Sequence, residues 1–180
     1  MYGRRIRTKE DISQIVLVNA KSMPADEEPD FSEFMEQYGY DTAVQEVVVN
    51  DAYYVDLTST DTSNLYSYQS LQTVIAGGGV DVLGADEMVF ENLAQSGAIA
   101  DLTQYFSKDE LEQLKDYIFY VEDKDTGDTF AAGIRLGAGS WPVEHGYYEK
   151  ECILGIALGS EHKEAAEQMF RYLLEKSNLD

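Results

Sequence analysis

Short runs rich in β-branched residues alternate along this chain with longer segments whose apolar positions recur every three or four residues. Residues 14–20 (Gln-Ile-Val-Leu-Val-Asn-Ala) read as a buried strand, since a continuous apolar run of that length suits a strand covered on both faces. Pro24, Pro29 and several acids make a loop of residues 21–30. Asp30 and Glu33 then have capping-box spacing ahead of the stripe Phe31, Phe34, Met35 and Tyr38, which Gly39 closes. Residues 43–57 read as extended chain, with Asn50-Asp51 able to bend it into two strands, and residues 58–64 as a polar turn. Leu65, Tyr68, Leu71, Gln72 and Ile75 fall at helical spacing, ended by Gly77-Gly78-Gly79.

Val80 to Gly84 is a brief strand, and Asp86 stands where a cap would start the helix of Val89, Phe90, Leu93 and Ala94. Ser107 and Glu110 form a second capping box, before Leu111, Leu114 and Ile118. Residues 117–121 run on toward a strand, Glu122 to Asp128 read as a hairpin loop, and Phe130 to Leu136 as the return strand. Residues 137–150 are Gly-rich and irregular. Cys152 to Leu158 is a further buried strand, and Ser160 caps a last helix carrying Ala166, Met169, Phe170 and Leu173. The order β-α-β-α-β-α-α-β-β-β-α predicts an α/β fold, a mixed, mostly parallel sheet flanked by helices.

Length and charge narrow the picture. A chain of 180 residues suits one domain, here residues 13–180 behind a basic leader or juxtamembrane arm over residues 1–12, where Arg4, Arg5, Arg7 and Lys9 crowd together. Thirty-four acids against thirteen bases give a formal charge of −21, a surface that repels phosphate backbones and so argues against nucleic acid. The same charge disfavours docking of the folded body on anionic lipid. No apolar run approaches the length of a membrane span, so membrane contact is expected only through an anchor outside this chain. An exported, extracellular or cell-surface protein would likewise carry its targeting segment outside it.

Candidate chemistry is sparse. His145 and His162 lie apart, with no His-x-x-x-His or Cys-x-x-Cys pairing, so no metal site or cofactor is expected. Asp123 to Asp128 resembles the opening of a calcium loop, but Gly127 and Ile134 stand where oxygen donors are needed, and a hairpin turn is the better reading. Gly77 to Gly79 follows a helix rather than a strand and lacks the Lys-Ser/Thr of a phosphate loop. Ser140 has no nucleophile-elbow context, and Cys152 sits in an apolar run as a core thiol. These absences point to a binding module rather than an enzyme. Trp141, the only tryptophan, is either a stacking platform in a Gly-rich loop or a plug at the edge of the core.

Three segments carry a resemblance. Leu71-Gln-Thr-Val-Ile-Ala-Gly-Gly-Gly-Val-Asp-Val-Leu-Gly84, Phe90-Glu-Asn-Leu-Ala-Gln-Ser-Gly-Ala-Ile-Ala-Asp-Leu102 with the pair Tyr105-Phe106, and Ile156-Ala-Leu-Gly-Ser-Glu-His-Lys-Glu-Ala-Ala-Glu-Gln-Met-Phe170 resemble, in order, segments of bacterial extracellular solute-binding proteins with the periplasmic-binding-protein fold. They are spread over residues 71–170, about half the chain, and are structural signatures rather than ligand contacts. The resemblance implies one lobe of a normally two-lobed architecture, with the second lobe missing or reduced to residues 137–150. A single lobe still presents the loops beyond its strand C-termini, where open α/β sheets bind. That places the candidate ligand residues at Asn19, Ser22, Asp86, Glu87, Arg135 and Trp141, for an unidentified small-molecule solute or a protein partner. The alternative is a structural or protein–protein assembly module that kept the fold and lost the small-molecule site.

Overall fold

The computed structural model describes residues 8–179. Arg4, Arg5 and Arg7 of the basic arm lie outside the described residues. Among the described residues six strands form one sheet: β1 (Glu10–Leu17), β2 (Gln45–Asn50), β3 (Val82–Ala85), β4 (Ile118–Glu122), β5 (Thr129–Leu136) and β6 (Cys152–Ile156). Their order across the sheet is β2-β1-β3-β6-β5-β4. β1 pairs in parallel with both β2 and β3, while the β3–β6, β6–β5 and β5–β4 ladders are antiparallel. Two successive antiparallel ladders restore direction, so β5 runs the same way as β1, β2 and β3. The expected mixed sheet flanked by helices is what forms, with all parallel pairing at one end. β6 reverses because it returns through residues 137–151 rather than through a helical crossover, and β4 because a tight turn joins it to β5.

The helices are α1 (Ser32–Gln37), α2 (Thr62–Ala76), α3 (Glu87–Gln95), α4 (Lys108–Gln113), α5 (Trp141–Glu144) and α6 (Lys163–Glu175). Alternation along β1 builds a core on each face of the sheet: Ile15 and Leu17 pack with Phe34, Met169 and Phe170, whereas Val16 and Val18 pack with Leu71, Ile75, Phe90 and Leu93. β1 begins at Glu10, and Ile12 is already buried, so the sheet takes in residues the hydropathy pattern had left to the arm.

Local signals held where side chain and backbone interests coincide. Ser107 and Glu110 form the expected reciprocal capping box, and Asp123 closes the expected turn with Gly127 at φ +77°. They failed where another partner claimed the side chain. Asp30 is not the cap of α1; its carboxylate accepts from the N–H and hydroxyl of Ser32 in a local turn. Ser160 is not the cap of α6 either. Its hydroxyl donates to Asp81, fully buried at the amino end of β3, while accepting the N–H of His162. The Asp81 carboxylate also accepts the N–H of Gln14 at 2.7 Å, tying β1, β3 and the start of α6 into one knot.

Phe90 sets the middle of the antiparallel half. Its ring lies over two glycines: a Cβ on Gly155 would stand 2.7 Å from Phe90 Cζ and 2.9 Å from the Ala132 carbonyl, and one on Gly133 would be as crowded.

Candidate functional site

The sheet opens into a crevice beyond the carboxyl ends of β1, β2 and β3. From β1 the chain steps to β2 on one side, then crosses back through α2 to β3 on the other. Connections leaving in opposite directions hold the loops apart beyond the carboxyl ends of the strands, the usual position of a binding crevice in open α/β sheets. A cavity of about 490 Å³ lies there, within the range that holds a small ligand.

Asn19, two residues past β1, organises it. Its backbone is left-handed at φ +59°, a conformation Asn tolerates better than most residues. The side chain then makes three hydrogen bonds: Nδ2 donates to the Val55 carbonyl at 2.8 Å and to Asp86 Oδ1 at 2.7 Å, and Oδ1 accepts the Val55 N–H at 2.7 Å. One amide therefore joins the ends of β1 and β3 to the segment that leaves β2. Asp86 stands at the N-cap position of α3, but its side chain makes no capping bond and is committed to Asn19.

The segment over residues 51–61 forms the outer wall. The strand foreseen for its second half is absent: after Asn50 the ladder stops, the Tyr53 carbonyl accepts the Asn19 N–H at 2.9 Å just past β1, and side chains make most of the other ties. Asp51 accepts the Met23 N–H at 2.8 Å, Asn64 accepts the Asp56 N–H at 2.7 Å and donates back to the Asp56 carbonyl, and Ser67 donates to the Tyr54 carbonyl at 2.9 Å. The Thr58 hydroxyl and then its N–H hold the Asp56 carboxylate below the usual range. Behind the crevice, the buried Tyr148 hydroxyl donates to the Val18 carbonyl at 2.6 Å, fastening residues 137–151 to the end of β1; burial pushes its pKa well up, so it stays a donor.

Of the sequence-based candidates, Asn19 and Asp86 line the cavity. Ser22 is exposed on the same rim, 3.1 Å from the Tyr54 hydroxyl. Glu87 and Arg135 lie at the same end of the sheet, bound to each other at 2.6 Å, and Arg135 also pairs with Glu151 and lies 5.3 Å from the Phe119 ring centre. Held by two carboxylates and a ring, Arg135 is a strut rather than a free anion receptor. Trp141 does not belong to the site. It opens α5 and is buried at 4% exposure against Phe31, His145 and Tyr147, with its backbone N–H on the Ser177 hydroxyl. A large ring gains most from burial, and the backbone hydrogen bond beside it ties residues 137–151 to the chain just past α6.

The sequence reading missed Tyr54, Asp56, Asn64 and Met88, all in the cavity wall. A signal was present: Asp56-Leu-Thr58 and Asp61-Thr-Ser63 repeat the Asp-x-Ser/Thr pattern in which a carboxylate accepts both donors two residues on, marking ordered polar turns rather than a strand.

The only charged side chains lining the cavity are Asp56 and Asp86, and its rim carries Tyr54 and Met88, each more than half exposed. Such a lining attracts neutral or cationic donors of hydrogen bonds and repels anions. Among the described residues no three His, Cys, Asp or Glu side chains are grouped to hold a metal ion, and no helix is long and apolar enough to cross a membrane. No protein-family model matches the chain, and no curated protein or solved structure matches it significantly.

Proposed function

We propose that this chain is a non-catalytic, extracellular or cell-surface binding module that takes a small, neutral or cationic, donor-rich solute in the crevice beside Asn19 and Asp86. The observation that carries the reading is the Asn19 clamp. A residue in left-handed backbone, with its whole amide spent on joining three loops, fixes the shape of a concave, acid-lined cavity at the switch point of the sheet. The resemblance to solute-binding proteins is a further ground for this reading; its three segments fall on the end of α2 with β3, on α3, and from the last residue of β6 into α6.

The crevice is open on the described residues, so a solute held there stays partly in water, which favours modest affinity and rapid exchange. A thermal-shift panel of sugars, amino acids, short peptides, divalent cations and small anions tests this. A ligand at a hundred times its dissociation constant adds about 2.7 kcal/mol, about 5–10 °C in a chain of this length. The expected result is a rise with one neutral or cationic class, none with anions, and loss of the rise in Tyr54→Ala. A rise restricted to anions, or one unchanged in Tyr54→Ala, refutes the assignment.

A further inference from the structure

Charge is distributed over this chain with one interruption. Acidic and basic residues make up 26% of it, yet α2, its longest helix, has none among its fifteen residues, and it is alone in this among the α-helices of the described residues. An outward helix face on a protein of charge −21 is ordinarily the first place for Glu and Lys. Here that face carries Thr, Ser, Gln and two exposed apolar side chains, Leu65 at 51% and Tyr66 at 66%.

The helical period lines up Leu65, Gln69, Gln72 and Ala76, at i, i+4, i+7 and i+11, along one flank of α2. At its carboxyl end this flank opens into a second cavity, of about 300 Å³, lined by Gln72, Ile75 and Ala76 with Ala98 and the 44% exposed Leu158, and by no charged residue. One end of the stripe therefore carries an apolar knob and the other an apolar hollow, eleven residues apart, or about 16 Å along the axis.

That arrangement is self-complementary. A two-fold axis midway along the stripe sets residue 65 against 76 and 69 against 72, so each Leu65 meets the hollow of the other copy and each Gln69 amide meets a Gln72 amide. We propose that the Leu65–Ala76 flank of α2 is an isologous interface that docks a second copy of this chain with the two α2 helices antiparallel. The pairing of Leu65 with the hollow selects a second copy; two bodies of −21 repel one another overall, and this uncharged flank lets them meet without burying like charges. A single helix flank covers less than the roughly 800 Å² per partner of a standard interface, so the dimer is weak and concentration-dependent. Salt, by screening the repulsion of the two bodies, strengthens it.

Sedimentation velocity of the full chain from about 10 µM to about 1 mM, at low and high salt, reads the association over a range suited to interfaces of this size. The expected result is a monomer–dimer equilibrium that tightens with salt, is weakened at least about tenfold by Leu65→Glu, and is untouched by Tyr120→Ser on the exposed side of β4. Gln69→Glu/Gln72→Glu and Gln69→Lys/Gln72→Lys chains should each remain monomeric alone and associate when mixed, because every acid then faces a lysine. A chain monomeric throughout that range, a dimer indifferent to Leu65→Glu, or charge variants that fail to recover on mixing overturns the proposal. These positions are exposed or half-buried, and equal melting temperatures of the variants separate lost association from lost folding.

Discussion

Replacing Asn19 separates two things the structure asks of one residue, a left-handed backbone and a three-way side-chain clamp. Asn19→Gly keeps the backbone at ease and deletes the three hydrogen bonds; Asn19→Ala deletes them and leaves a Cβ in a left-handed conformation without the polar side chain that lets Asn tolerate it. A net contribution of about 1 kcal/mol per hydrogen bond gives a loss of about 3 kcal/mol for the glycine variant. Left-handed strain adds about 1 kcal/mol for alanine. With a melting entropy of about 2.1 cal/mol/K per residue, a chain of this length should melt about 8 °C lower with glycine and about 10 °C lower with alanine. Differential scanning calorimetry with urea unfolding at constant m-value measures both. A glycine variant as stable as the parent would show that the clamp contributes nothing, and an alanine variant no worse than glycine would remove the backbone argument.

Asp81→Ala leaves the Gln14 N–H and the Ser160 hydroxyl without their acceptor in the interior, so urea unfolding should show a loss of about 3–5 kcal/mol. Gly155→Ala drives a methyl into Phe90 and the Ala132 carbonyl and should destabilise by about 1–3 kcal/mol; Phe90→Leu in the same chain should recover part of that, and strict additivity in the double-mutant cycle would refute the clash. Glu110 is held down to about 2, first by its hydrogen bonding with Arg171 and then by the Ser107 N–H. A depressed carboxylate contributes stability that is whole above its unfolded value, near 4.5, and is lost as pH falls toward about 2. Because its side chain is 41% exposed, solvent screening limits the effect to about 1 kcal/mol or less. Urea melts of Glu110→Gln should therefore lose stability less steeply than the parent between those pH values, and an identical slope would contradict the pairing.

Elements whose signals are local were legible in the sequence: the stripe of α2, the Ser107–Glu110 box, the β4–β5 hairpin and the apolar runs of β1 and β6 all stand close to where periodicity puts them. What escaped depends on partners distant in sequence. Asp86 and Ser160 read as helix caps because nothing local discloses that Asn19 and Asp81, 67 and 79 positions away, claim their side chains. The direction of β6 also follows from the path of residues 137–151 rather than from its own composition. In the site, strand C-termini led to Asn19, Ser22, Asp86, Glu87 and Arg135 at one end of the sheet. Of the two readings of Trp141, the core plug holds and the ligand platform does not, because the Gly-rich loop around it folds inward; the wall from Tyr54 to Asn64 was hidden by reading Tyr53 to Val55 as strand.

The central claim is that ligand enters beside Asn19 and Asp86, and an amide NMR titration tests it most directly. Pools of neutral and cationic solutes are added to isotopically labelled chain, dilute enough to keep it monomeric. The expected result is a saturable set of shifts confined to Asn19, Tyr54 to Thr58, Asn64 and Asp86 to Val89, absent in Tyr54→Ala. Saturable shifts centred elsewhere, or a spectrum unmoved by every pool, would contradict it.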